Sequence, residues 1–247
     1  MNEGPSTLLS QTGKLTRQEL ALVPTPARTE THQVIPHIEV INAIIETLGF
    51  RHIAVQKEEY AVSRDGMKMF GVLELQNGFE GCRFAIGVRN AHDKSMRLAL
   101  TVGYRVLVCD NMAFHGDFQP LLAKHSKHFR LQDALSIGVD QMQRNFDPMV
   151  KSVSLWRDAR ITGVMAKLAI YEAFIEGGLD VPRHLARHTH DLYFNPPHNE
   201  FAPGTMWSLS NAFTSAFKEL DPIPQYRATA RLAAFLEGWA SGGGSLA

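Results

Sequence analysis

Residues 69–109 read MFGVLELQNGFEGCRFAIGVRNAHDKSMRLALTVGYRVLVC. Short apolar runs of strand-forming residues are separated here by turn residues at close intervals. Met69–Leu75 is followed by the turn signal Asn77-Gly78, then by Cys82–Val88. Met96–Thr101 and Tyr104–Cys109 flank Val102-Gly103 and read as a further hairpin, with a short helix over Lys94–Val102 as the other reading. Upstream, Ile53–Val62 alternates imperfectly and Arg64-Asp65-Gly66 turns the chain into Met69–Leu75. Connections this short join antiparallel neighbours, so the stretch predicts a mostly antiparallel sheet of about five strands within residues 50–112.

Helical spacing takes over on both sides. Ile38, Ile41, Ile44, Ile45 and Leu48 share one helical face, with Pro36 near the start and Gly49 at the close. After Gly116 the pattern is helical to the end. Leu131–Ala173 holds at least two helices, and within Leu155–Glu176 a stripe runs through Trp156, Ile161, Val164, Leu168, Tyr171 and Ile175. A shorter helix around Pro182–His190, a proline-rich loop at Asn195–Gly204, and helices at Thr205–Leu220 and Gln225–Ala240 follow. The expectation is an α+β fold with the sheet in the first half packed by helices from the second: a single domain over 34–240. Residues 1–33 read as an extended or disordered arm, and 241–247, SGGGSLA, as a flexible tail. Leu20, Leu22 and Val23 give the arm a small apolar anchor. That makes a neighbouring subunit or another protein its expected partner.

The chain has 247 residues, 45% hydrophobic and 20% charged, which is the composition of a folded domain. Lys plus Arg and Asp plus Glu both number 25, so a wholesale polycation is excluded. No stretch approaches the ~18 apolar residues of a spanning helix, and the N-terminus lacks a signal pattern. With only two cysteines, Cys82 and Cys109, the expectation is a cytoplasmic protein with no membrane association and no disulfide scaffold. On strands, both thiols are expected to be buried core rather than nucleophiles.

The densest polar chemistry lies between the strands. Arg89, Asn90, His92, Asp93 and Lys94 follow one strand, and Asp110-Asn111 follows another. With Met96–Cys109 as a hairpin, or Met96–Val102 as a crossover helix, both clusters would come to one end of the sheet. Asn90, His92, Asp93, Asp110 and Asn111 would then line a shared polar site, with His92, Asp93, Asp110 and Asn111 as candidates for acid–base or ligand work. The competing reading is two capped loops whose Asn and Asp side chains bond nearby amides.

Residues 80–130 hold eight Lys or Arg against four acids. Arg83, Arg89, Lys94, Arg105, Lys124, Lys127 and Arg130 are the candidate phosphate contacts, with Phe114, Phe118 or Phe129 as stacking platforms. A solvated basic loop is the alternative. His184 and His188 share a helical face near His190, Asp191 and His198, but no His-Glu-x-x-His signature accompanies them, and a surface histidine-rich turn is the expectation. No dinucleotide, phosphate-loop or hydrolase-elbow motif occurs, and no cofactor or metal is expected.

Gly87 through Asn111, with N-x-H-D-K-S and V-C-D-N, and Trp207–Thr214, WSLSNAFT, resemble the phage- and plasmid-associated family known as domain of unknown function 932. The resemblance spans roughly Tyr60 to Leu236. It carries over to Arg89, Asn90, His92, Asp93, Ser95, Cys109 and Asn111, then to Trp207, Asn211 and Thr214. Ala91 departs from the Ser of the family pattern, which removes one hydroxyl from any catalytic reading there. The resemblance implies a protein of mobile elements or their hosts, and implies no reaction. The leading expectation is therefore non-catalytic binding of single-stranded or structured nucleic acid. The alternatives are a metal-assisted hydrolase or nuclease using the Asn90–Asp93 and Asp110–Asn111 clusters, and a protein-binding inhibitor or assembly factor.

Overall fold

The two-residue periodicity between Val55 and Val106 becomes four long antiparallel strands in a computed structural model that describes residues 14–30, 33–116, 119–126 and 129–240. They are β1 (Val55–Val62), β2 (Lys68–Phe79), β3 (Cys82–Ala91) and β4 (Leu98–Val106), paired in chain order. Two short strands, β5 (Met112–Phe114) and β6 (Leu121–Ala123), share the remaining edge of β4, each antiparallel to it. The expected antiparallel sheet of the first half, with helices in the second, is what forms.

Two turns differ from the expectation. Asn77-Gly78 lies inside β2, and the chain reverses at Glu80-Gly81, where both residues have positive φ (27° and 75°) as a tight hairpin of primed type requires. Gly78 serves another purpose. A Cβ there would sit 2.1 Å from the Cys82 carbonyl oxygen, so a side chain would not fit where the β2–β3 register shifts. Likewise, Met96–Cys109 is neither a hairpin nor a crossover helix. Residues 98–106 form one fully buried strand, and Gly103 lies in its middle.

The sheet's first face carries Ile86, Val88, Leu100, Val102 and Tyr104 into the main core, shared with α2 (His37–Gly49), α3 (Leu131–Asp158) and α6 (Met206–Ala216). On the second face Phe70, Val72, Ala85 and Phe114 pack beneath Tyr226 of α7 (Pro222–Ala240). The Tyr226 hydroxyl bonds that of Thr101 at 2.5 Å. Between α3 and α6 lie α4 (Gly163–Phe174) and α5 (Leu185–Phe194).

The reading of Leu155–Glu176 as one helix needs correction. The chain breaks after Asp158, and Thr162 restarts it by accepting the Met165 amide at 3.2 Å, a standard N-cap. The apolar stripe is divided as a result. Trp156 and Ile161 are buried, whereas Val164, Leu168, Tyr171 and Ile175 face outward.

The described part of the N-terminal arm, residues 14–30, folds back on its own chain. Thr16 and Glu19 form a capping box for α1 (Arg17–Ala21), Leu20 enters the core, and Leu15 bridges Tyr60. The anchor is therefore intramolecular at Leu20, while Leu22 is exposed. Residues 1–13, 31–32 and the tail 241–247 lie outside the described residues. Both cysteines are free; Cys82 is buried, but Cys109 lies in a turn and is partly exposed. Burial pushes both thiols up to about 11, so neither is a ready thiolate. Among the described residues, no helix is long and apolar enough to cross a membrane.

Candidate functional site

Antiparallel register assembles a basic pocket at the end of the sheet where β3 leads into β4. Leu98 pairs with Ala123, so the next residues outward, Arg97 and Lys124, meet where the strands end. The intervening loop holds its shape through Asp93, whose carboxylate accepts the Ser95 amide at 3.0 Å, and through Lys94 in the left-handed region at φ 63°. A cavity of about 440 Å³ opens there, lined by Lys94, Ser95, Met96, Arg97, Lys124, His125 and Ser126. Three of these side chains are cationic and exposed, and among the described residues no acid lines the pocket. The nearest carboxylate in sequence, Asp93, is ion-paired to Lys68 at 3.9 Å. The buried His125 ring stacks on Phe129 at 5.9 Å with the planes 1° apart.

Behind the loop, Asn90 and His92 are buried and do structural work. Asn90 Nδ2 donates to the Ile35 carbonyl at 3.1 Å and to His37 Nδ1 at 2.9 Å. With its Nδ1 accepting, His37 donates from Nε2 to the Gly66 carbonyl at 3.1 Å. His92 Nε2 donates to the same Ile35 carbonyl at 3.1 Å, and its ring stacks on His37 at 3.8 Å. These bonds join the start of α2 to the end of the sheet.

Asp110 and Asn111 are at the other end, which corrects the expectation of a shared polar site. Cys82 pairs with Val106 and Arg89 with Ala99, so β3 and β4 run in opposite directions. Asn90 follows one end of the pair and Asp110 the other, separated by roughly 25 Å of strand. A metal-assisted site built from both clusters is not formed. Asp110 accepts Arg105 Nε at 2.9 Å and Nη2 at 2.5 Å, while Arg105 Nη1 reaches Glu74 at 2.6 Å. Asn111 Nδ2 donates to Asn211 Oδ1 at 3.0 Å and to its carbonyl at 3.1 Å, and Asn111 Oδ1 accepts Ser215 Oγ at 2.9 Å. Asn211 in turn donates to the Trp207 carbonyl, and Lys218 donates to that of Cys109. Cys109, Asn111, Trp207 and Asn211 thus form a joint between the β4–β5 turn and α6.

Sites this far apart, with no shared partner, act independently. Asn111→Ala is expected to cost about 1–3 kcal/mol, because Asn211 and Ser215 lose their partner. Asp93→Asn should be nearly silent, and the double variant should give the sum. Urea unfolding of the three variants checks this, and coupling well above about 0.5 kcal/mol would contradict the separation.

The basic candidates divide in the same way. Lys94 and Lys124 share the pocket, and Arg130 is exposed at the start of α3 with Asp133 at 3.8 Å. Arg83 and Arg105 lie on the second face of the sheet, and Glu74 pairs with both, at 3.1 and 2.6 Å. Arg89 is half-buried, its guanidinium 5.0 Å from the Tyr226 ring. These three belong to the fold's own electrostatics and are corrected as phosphate contacts. Phe114 is fully buried and cannot stack a base, while Lys127 and Phe118 lie outside the described residues. Arg97, His125 and Ser126, which are not among the candidate phosphate contacts, also line the pocket. Arg97 contributed to the basic excess, but its assignment to a strand hid its place at a loop end.

His184 and His188 are exposed, and His188 lies 3.5 Å from Glu219. Among the described residues, no group of three His, Cys, Asp or Glu side chains is placed to hold a metal ion. Fold and site together define an α+β protein with a basic pocket at one end of an antiparallel sheet. Comparison with family models, with curated proteins and with solved structures gives no match.

Proposed function

We propose that this protein binds nucleic acid without catalysis, and that the pocket at Lys94, Arg97 and Lys124 grips the phosphate backbone of a single strand. One observation carries the reading: cations from two separate loops line one cavity of about 440 Å³, with no acid among the described residues of its wall. Phosphates attract such a cluster and release counterions on binding, whereas a neutral ligand gains nothing from it. Ser95 and Ser126 add hydroxyls at the rim, and half-buried Phe129 beside His125 is the nearest described aromatic for a base to reach. The resemblance to the phage- and plasmid-associated family makes the nucleic acid of a mobile element the expected target.

The test is fluorescence anisotropy with a short labelled single strand across a salt series. Binding should weaken linearly in log–log form with a slope near −2, as about three neutralised phosphates require on single strands. Lys94→Glu, Arg97→Glu and Lys124→Glu together should weaken binding at least ~10-fold, because each reverses a phosphate contact. Arg83→Glu, at the other end of the sheet where Arg83 pairs with Glu74, should leave the slope unchanged. Absence of binding at low salt, or equal sensitivity to Arg83→Glu, would overturn the proposal.

A further inference from the structure

The α4 helix is apolar on both sides, and only one side is covered. Ala166, Ala169 and Ala173 are buried against the rest of the chain. On the other side Val164 is 67% exposed, Leu168 38%, Tyr171 52% and Ile175 37%. Their spacings of four, three and four residues place all four on one narrow stripe. Apolar residues scattered singly over a surface need no explanation, but a continuous stripe the length of a helix marks a contact.

We infer that this stripe is where a second copy of the chain docks, its α4 lying parallel to the first. The spacing is that of a coiled-coil seam: Val164 and Tyr171 occupy d positions, Leu168 and Ile175 a positions. Lys167 then falls at g and Glu172 at the e position of the next heptad. In a parallel pair, g of one helix faces the following e of its partner, so Lys167 meets the second copy's Glu172, and symmetry repeats the contact. An antiparallel pair would set g beside g and e beside e, bringing Lys167 towards Lys167 and Glu172 towards Glu172. The charges therefore select both the occupant and its direction. The surface is self-complementary, as a two-fold interface must be.

The geometry also fits the local structure. The helix is already capped and held by its buried face, so no ordering of the backbone accompanies association. Lys167 presently lies over the Phe194 ring, with its ammonium 5.4 Å from the centroid, on one flank of the stripe. Glu172 is half-buried on the other. At 12 residues, about 18 Å, the seam is short, so a weak, concentration-dependent dimer is expected.

Sedimentation equilibrium of the full chain tests the inference, with circular dichroism to confirm that each variant is folded. The wild-type chain should dimerise at micromolar concentrations and Leu168→Glu should abolish it. Lys167→Glu and Glu172→Lys should each weaken the dimer about 10-fold, as two symmetric attractive pairs become repulsive. The double variant should recover to within about 3-fold of wild type, because it restores both opposite-charge pairs. A wild-type chain that stays monomeric up to about 1 mM, the limit of weak association, would overturn the inference and leave the stripe to another partner. So would a dimer indifferent to Leu168→Glu, or a double variant as weak as the single ones.

Discussion

Gly103→Ala is expected to destabilise the protein by about 3 kcal/mol or more, beyond the usual range for an added methyl group in a core. A Cβ at this position would lie 2.4 Å from the Ala113 carbonyl oxygen and 2.6 Å from Phe114 Cδ1. Gly103 pairs with Phe114 across β4 and β5, so relief requires the β5 backbone itself to move. That movement breaks the short β5 ladder and lifts Phe114 off the second face of the sheet, where it packs against Phe70 and Tyr226. Gly87→Ala provides a graded comparison. Its closest neighbour would be Phe114 Cε1 at 2.9 Å, a ring that can tilt, so about 1–2 kcal/mol is expected. Gly49→Ala at the end of α2 meets nothing within 4 Å and should be neutral or stabilising by up to about 1 kcal/mol. Urea midpoints should fall in the order Gly49→Ala, Gly87→Ala, Gly103→Ala. A Gly103→Ala midpoint equal to that of Gly87→Ala would show that β5 yields without cost.

That glycine also explains where the sequence was legible and where it was not. The strands over 55–62, 68–79 and 82–91 could be read because alternation and β-branched content are local properties. The antiparallel sense followed from short connections. Val102-Gly103 was misread because a glycine that admits a neighbouring ring looks the same in sequence as one that turns a chain, and Gly78 misled for the same reason. Taking the strand for a hairpin reversed the direction of 104–109 and moved Asp110 and Asn111 to the wrong end of the sheet. A one-element error in topology thus relocated half of the candidate site. Lys94 and Lys124 still meet in one pocket, because proximity to the sheet's end does not depend on that reversal. Arg83, Arg89 and Arg105 do not, because the glutamate and the aromatic ring that engage them come from β2 and α7. In α4 the failure was of another kind: helical periodicity shows that a stripe exists but not which partner covers it.

Acid should destabilise this protein before its carboxylates are protonated. Burial, aided by the nearby His92 and His125 and opposed by the bond to Gly66, lowers His37 from 6.5 to about 4. Burial lowers His115 to about 4. Both are therefore neutral when folded at pH 7, while in the unfolded chain each regains an ordinary histidine value near 6.5. Between these values the unfolded state binds more protons than the folded one. Stability is then fully present above pH 6.5, declines as the pH falls, and levels off below about 4. At pH 5 each histidine accounts for a loss of about 2 kcal/mol, so the pair removes about 4 kcal/mol from a total typically of 5–15 kcal/mol. The His37 share should be the more separable of the two. In His37→Gln the amide oxygen can accept from Asn90 and the amide nitrogen can donate to Gly66, so the joint between α2 and the sheet is kept while the titration is removed. Urea unfolding at pH 7, 6 and 5 should show a steep loss for the wild-type chain and a profile about 2 kcal/mol shallower at pH 5 for His37→Gln. His115→Phe should flatten it by a similar amount, and the effects should add, because the His37 ring packs on His92 whereas the His115 ring packs on Trp156. Parallel profiles for the wild-type chain and both variants would mean that the two rings do not carry the acid sensitivity.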